Sequence, residues 1–351
     1  MRSSVFPGAA YALASALLFG VSTPFAKALL GAGTDPILLA GLLYVGSGVG
    51  LSLVQLSRLA LHRRTGEAPL RTGHWPRLTA AVLLGGALAP LCLMLGLKST
   101  EASSAALLLN LESVATMVIA WMIFRENVDR RLLLGAVAIV AGASLLAWNG
   151  SFTPSVGALL VVLACLLWGL DNNITRGLAA ADPEQIALIK GLVAGSANTA
   201  LALAMGATLP SWRAVVLAGL LGFFGYGVSL VLFVRALRYL GAARTSAYFS
   251  TAPFLGALVA LTLYREPATL LLVAAALFMA AGVYLHLSES HQHEHNHDAL
   301  EHEHRHVHDE HHQHDHPAGV ELGEPHSHWH RHRPLTHSHR HFPDLHHHHE
   351  H

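Results

Sequence analysis

Ten times between residues 8 and 287 the chain runs for about twenty residues almost without charge, the length an α-helix needs to cross the hydrocarbon core of a bilayer. The segments read as 8–30, 36–57, 78–98, 101–124, 131–149, 154–177, 184–206, 213–238, 243–264 and 268–287. Inside hydrocarbon the backbone must satisfy its own N–H and C=O groups, which leaves helices or a closed barrel. Barrel strands are about ten residues long and alternate in polarity, whereas these segments are longer and apolar throughout. The expected fold is therefore all-α and integral to the membrane. Composition agrees, since 13% charged residues, against about 25% in a soluble domain, are too few to cover a water-soluble surface. Arginine, Pro, Gly and polar residues gather in the connections, as in Arg63-Arg64-Thr65-Gly66 and Asn149-Gly150-Ser151. The formal net charge is zero, so nothing points to nucleic acid. Cys92 and Cys165 both fall in apolar runs, which argues against a disulfide framework or a thiolate metal site. The first segment, behind Arg2, exceeds a secretory signal core and carries Lys27 near its far end, so it reads as the first membrane helix.

With ten spans, both termini lie on one side. That side collects Arg2, Arg58, Arg63, Arg64, Arg71, Arg77, Arg125, Arg130, Arg131, Arg176, Arg235, Arg238 and Arg244, and the other receives Lys27, Lys98, Arg213 and Arg265. Positive charge stays on the cytoplasmic side, so both ends are expected in the cytoplasm of a bacterial inner membrane. The chain also repeats itself. Leu18-Phe19-Gly20-Val21 through Lys27 matches Leu167-Trp168-Gly169-Leu170 through Arg176, and Phe124-Arg125-Glu126 matches Tyr264-Arg265-Glu266. Each half thus holds five helices, and an odd number sets the halves in opposite membrane orientations. Inverted repeats of this kind are typical of secondary transporters, with the substrate site near the midplane between them. The expected domains are residues 1–149, residues 150–287 and a tail over 288–351.

On those marks the chain resembles the drug/metabolite transporter superfamily, specifically proteins with two EamA-type repeats. The resemblance covers roughly residues 8–287 and rests on the five-plus-five layout, on Phe19-Gly20 with Trp168-Gly169, and on Arg125-Glu126 with Arg265-Glu266. It implies alternating-access transport of a small molecule, in many members outward. It leaves the substrate open among amino acids, metabolites, drugs and sugar phosphates. The family often places a proline in the fourth and ninth helices. Pro253 fits the ninth, but the fourth has Ser113 there, preceded by Glu112.

A carboxylate at bilayer depth costs roughly 3 kcal/mol on insertion scales and usually faces a cavity or a partner. Glu112, in Asn110-Leu111-Glu112-Ser113, is therefore a candidate for proton coupling or cation binding, its alternative being a protonated packing residue. Asp171-Asn172-Asn173 follow Trp168-Gly169 in the sixth helix. Asp171 and Lys190 lie at matched depth on consecutive antiparallel helices, some 9 Å from one face at 1.5 Å per residue. An Asp171–Lys190 ion pair, as gate or structural clamp, is expected; in its absence Lys190 snorkels to the interface. Trp168, Asn110, Asn172 and Asn173 complete the candidate binding set. Pro24, Pro90 and Pro253 are expected to break helices, freeing carbonyls that can face a cavity. Gly46 through Gly50 and Gly219 through Gly227 read as close helix packing, and Arg125-Glu126 and Arg265-Glu266 as interfacial anchors. No Gly-Lys-Ser/Thr phosphate loop or HExxH helix occurs, so neither ATP-driven transport by this chain nor an enzyme is expected.

After Leu287 the chemistry changes. Residues 288–351 hold 24 of the 27 histidines, interleaved with Glu and Asp. Such a segment cannot bury a core and is expected to be disordered. His291, His293, His295 and His297, then His302, His304, His306 and His308, with His311 and His312, set imidazoles mostly at alternating positions. Imidazole with carboxylate suits zinc, nickel, cobalt or copper(II), so the tail is expected to bind divalent metal, although no cofactor is required. Its bland alternative is a pH-responsive polyelectrolyte. Three functions stay open: a metabolite transporter with a metal-binding tail, a nickel, cobalt or zinc transporter fed or regulated by that tail, and a membrane-anchored metal buffer. Substrate identity, coupling ion and oligomeric state are not legible here.

Overall fold

The computed structural model describes residues 2–61, 67–124, 130–147, 155–287 and, in the tail, 291–297, 301–306, 326–331 and 335–341. Up to Leu287 every regular element longer than an isolated bridge is helical. In chain order these are α1 (Arg2–Gly31), α2 (Pro36–Ala60), α3 (Thr72–Ser99), α4 (Ala102–Ile123), α5 (Arg130–Ala147), α6 (Val156–Arg176), α7 (Pro183–Ala204), α8 (Trp212–Ala242), α9 (Arg244–Tyr264) and α10 (Leu270–Leu287). Eight of them, all but α5 and α10, are long and apolar enough to cross a membrane. α5 and α10 have 18 residues each, or about 27 Å of helix. Large apolar side chains face outward along the bundle, Val156 and Met122 each 72% exposed. An outer surface of that kind belongs in lipid.

Local chemistry sets the helix ends. Asp35 accepts from Ile37 N and Leu38 N at 2.9 and 3.0 Å and stands before Pro36, so α2 starts with a capped first turn. Ser155 caps α6, Asp182 with Pro183 opens α7, and Ser211 caps α8. Gly241 has φ 72°, a conformation open to glycine, and divides α8 from α9. α3 begins at Thr72, six residues earlier than the apolar run indicates, because its first turns are amphipathic rather than apolar. α4 is interrupted at Leu109-Asn110, just before Glu112.

The helices pack in exchanged pairs. α1 lies on α8 and α6 on α3; α1 lies on α9 and α6 on α4; α2 pairs with α7 and α5 with α10. Swapping the first five helices for the second five returns the same pairs. The ends follow suit. Lys27, closing α1, donates to Leu97 O and Thr100 O at the end of α3 (2.5 and 2.9 Å), a cation on helix-end carbonyls. At the other end of the bundle Arg238, late in α8, donates to Ala179 O and Ala181 O just beyond α6 (2.9 and 3.1 Å) and to Glu67 (2.9 Å). Glu184 accepts there from Arg58 and Arg235. Glu266 is more than an anchor. Its two carboxylate oxygens accept from Ala102 N and Ser103 N, both at 3.0 Å, capping α4 from across the bundle. Arg125 and Glu126 lie outside the described residues.

Four segments of the tail are described, as paired strands. β1 (His291–His297) pairs antiparallel with β4 (Leu335–His341), and β2 (Glu301–His306) with β3 (His326–Arg331). The period-two spacing of histidine is also the period of a strand. His308, His311 and His312 lie outside the described residues.

Glycine makes the closest helix contacts. Gly222 presses on the Leu43 carbonyl and leaves no room for a methyl group, whereas Gly219 faces open space. Gly222→Val should therefore destabilise the bundle by roughly 1–3 kcal/mol, read as a lower unfolding midpoint in detergent, and Gly219→Ala should be tolerated. Equal midpoints for the two variants would contradict this packing.

Candidate functional site

The centre of the bundle is built around a carbonyl that its own helix cannot satisfy. Residues Val82–Leu88 of α3 form a π-helical segment, in which N–H groups bond five residues back. Accordingly Ala89 N bonds Leu84 O. The next donor in that register would be residue 90, and Pro90 has no N–H. Gly85 O is thereby released, and two side chains take it: Tyr44 OH at 2.9 Å and Trp168 Nε1 at 3.0 Å. Pro90 thus ties α2 and α6 to α3. Gly85 also lies directly against the Asp171 carboxylate, with no space for a side chain of its own. α8 carries the matching π segment, Phe223–Val228, around Gly225.

Those rings belong to a larger aromatic wall. Phe19 meets Trp168 edge-on (centroids 5.5 Å apart, 86°), Tyr226 (5.6 Å, 70°) and Phe249 (5.3 Å). Tyr44 adjoins Tyr226 at 5.3 Å and Phe233 adjoins Phe249 at 5.1 Å. All six line one cavity between the halves, together with Ser15, Ser229, Glu112, Asp171, Asn172 and Lys190. Ser15 and Ser229 lock α1 to α8 by reciprocal bonds, Ser15 Oγ to Ser229 O at 2.8 Å and Ser229 Oγ to Ser15 O at 3.0 Å.

Three ionisable side chains stand in this wall. Lys190 is 1% exposed and meets Asp171 at 2.5 Å. Thr175 donates to the other Asp171 oxygen at 3.1 Å. The pair expected from matched helix depth is present, and it is buried rather than at a mouth. Glu112, 7% exposed, makes no ion pair among the described residues. Asn172 Nδ2 donates to its Oε1 at 2.9 Å, and Oε2 receives no hydrogen bond among the described residues. Glu112 also lines a second, smaller cavity with Ser113, Ser246 and Pro253.

The other candidates divide. Asn110 sits at the interruption of α4, but its amide donates to Leu107 O and reaches Met279 of α10, away from both cavities. Asn173 clasps Thr116 O (3.0 Å) and Gly169 O (2.8 Å), binding α6 to α4. Both act in packing. Pro24 stands inside α1, where its carbonyl accepts from Tyr264 OH at 2.7 Å. Pro253 starts the second part of α9 after a turn at Ser250-Thr251. Sequence reasoning missed Tyr44, Tyr226, Phe249, Ser15 and Ser229, which sit in apolar runs without a neighbouring charge. Tyr226, between Gly225 and Gly227, had the one usable signal, a large side chain flanked by residues that leave it room.

The model of the EamA-like transporter family matches residues 6–148 and again 155–288. The chain belongs to the EamA-like transporter family. An uncharacterized transporter of Methanothermobacter thermautotrophicus is 28% identical, over 78% of this chain and 84% of its own length. A probable 4-amino-4-deoxy-L-arabinose-phosphoundecaprenol flippase subunit of Pseudomonas paraeruginosa is 38% identical over 31% of this chain and 93% of its own length. A solved crystal structure superimposes with a TM-score of 0.60 at 19% identity, covering 81% of this chain and 96% of that one, a likeness of fold. This EamA-like transporter is a membrane protein.

Breaking a buried ion pair from one side strands a charge and costs roughly 3–5 kcal/mol, whereas replacing both members by apolar groups is often nearly neutral. Lys190→Met should thus lower the unfolding midpoint of the purified protein sharply, and adding Asp171→Leu should restore most of the loss. A double variant no better than Lys190→Met would show that Asp171 and Lys190 do not act as a pair.

Proposed function

We propose that this chain is a secondary transporter that carries a small organic solute through the central cavity by alternating access, with ten spans arranged as two inverted five-helix repeats. The exchanged helix pairs and the sealing contacts at both ends, Lys27 with α3 and Arg238 with the turn beyond α6, support two halves that rock about the cavity between them. One observation carries the coupling role: Glu112 is buried, lines the cavity, and makes no ion pair among the described residues. A carboxylate in that position holds a proton or a bound cation, and exchange of one for the other is the simplest coupling step. The Asp171–Lys190 pair is electrically closed and serves as a clamp on the α6–α7 wall.

The tail is proposed to bind divalent metal on the cytoplasmic side. The backbone register sets His291, His293 and His295 opposite His341, His339 and His337, and His302, His304 and His306 opposite His330, His328 and His326. Metal is not read as the cargo of the membrane part, because no group of three or more His, Cys, Asp or Glu occurs there among the described residues. The tail then buffers or senses metal beside a transporter of something else.

Two measurements test this reading. Everted vesicles from a bacterial host, energised and followed with a pH-sensitive dye, should show a solute-dependent proton flux when challenged with pooled small metabolites. Glu112→Gln should abolish that flux at equal protein level; no flux with the intact chain, or an unchanged one in the variant, would count against the proposal. In parallel, cellular nickel, cobalt, zinc and copper should follow truncation after Glu289 and ignore Glu112→Gln. A metal change abolished by Glu112→Gln would instead make metal the cargo.

A further inference from the structure

Resting on the transport reading, we infer that the cargo carries positive charge: the cavity is built to take a small organic ammonium ion with at least one N–H. The charges that line it decide the sign. Lys190 is its sole cation among the described residues, and Asp171 already neutralises it at 2.5 Å. No free positive group is left to receive a carboxylate or phosphate. Glu112 is the remaining charge, and its Oε2 has no protein donor. An anionic cargo would meet that carboxylate across a dry wall, while a cation supplies the missing counter-charge.

The rest of the wall decides the kind of cation. Six aromatic rings, several inclined at 70–86° to one another, enclose the site. Ring faces attract ammonium groups, by up to about 2 kcal/mol when desolvated. They offer nothing to a metal ion, which needs several oxygen or nitrogen ligands. A further polar atom points the same way. Tyr226, 4% exposed, has its hydroxyl beside that of Ser22, whose own proton goes to Phe19 O, so the Tyr226 oxygen is left as an acceptor. An N–H-bearing ammonium would donate to Glu112 Oε2 and to the Tyr226 oxygen while its carbon body rests on the rings. The cavity is narrow, about 50 Å³, where one water needs roughly 10–15 Å³, so the cargo is small. In the exchange no covalent bond changes: the Glu112 proton leaves as the ammonium enters, and net charge in the cavity is conserved.

The test uses the full chain purified in detergent, with n-propylammonium, tetramethylammonium, propan-1-ol, propionate and nickel(II) as probes in calorimetry. Propylammonium should bind, releasing about one proton as judged from buffers of different ionisation enthalpy. Tetramethylammonium, which cannot donate, should bind more weakly. Glu112→Gln should weaken propylammonium binding by roughly tenfold or more and abolish proton release, and Tyr226→Phe should weaken propylammonium without affecting tetramethylammonium. Both variants must elute and unfold as the parent does, and Phe233→Leu serves as a second, uncharged probe of the same wall should Glu112→Gln misfold. Propionate or propan-1-ol binding in place of the amine, or no ammonium binding to folded protein, would overturn the inference. Transport is scored separately, as accumulation of methylguanidinium, a permanently charged cation that bears N–H, and of tetramethylammonium in proteoliposomes holding an acidic interior. Ammonium binding without accumulation of any probe would sink the transport reading and leave the cation site standing. Accumulation of a neutral or anionic probe would do the reverse.

Discussion

Hydrocarbon offers no hydrogen-bond partner, and the interior of this protein is organised by that deficit. Many of the polar groups placed at depth find a partner on another helix, and departures from regular α-helix double as ties. Pro90 leaves Gly85 O free, and the same carbonyl then holds Tyr44 and Trp168 in place. The interruption of α4 at Asn110 turns that side chain to α10 and presents Glu112 to α6. Asn172 and Asn173 convert one turn of α6 into three bonds to α4. Removing the kink would therefore remove the site. The positions that look like flaws in a helix are the ones that hold the cavity walls at their spacing.

The membrane architecture was legible because its signals are long and redundant. Twenty apolar residues cannot be mistaken for a strand, and the recurrence of Phe19-Gly20 as Trp168-Gly169 marked the two halves independently of hydropathy. The Asp171–Lys190 pairing was legible for a simpler reason: a 1.5 Å rise gives depth by counting, and two opposite charges at one depth on adjacent helices find each other. The two short helices show the limit of the length argument. α5 and α10 fall below the span that the other eight reach, and they pair with each other through Gly135, Gly142 and Gly282.

What the sequence hid is lateral position. Asn110 and Asn172 are both polar residues at depth, and counting cannot say which one turns to a neighbouring helix and which to the cavity. The structure sends Asn110 to Met279 and Asn172 to Glu112. Tyr44 was invisible for the same reason, since an aromatic in an apolar run has no period or charge to betray its facing, and Tyr226 was marked only by its flanking glycines. In the tail, the alternation of histidine matches the period of the paired strands described there.

The two halves share a frame and divide the chemistry. At matching positions α1 has Phe19, Ser22 and Thr23 where α6 has Trp168, Asp171 and Asn172, and α4 has Glu112 and Ser113 where α9 has Ala252 and Pro253. The halves carry the same glycines, 85 and 225, at the same π segments, so the scaffold that bends is common to both. Charge is concentrated on one side of the cavity, in α4, α6 and α7, and uncharged rings and hydroxyls on the other, in α1, α8 and the turn into α9. The wall of rings and serines holds no ion pair among the described residues, while Asn172, Asn173 and the Asp171–Lys190 pair bind the helices of the charged wall together. A symmetric site with a carboxylate in each half would set two like charges at bilayer depth, each costly there. Divergence between the repeats is thus what leaves a duplicated frame with its charge on a single wall.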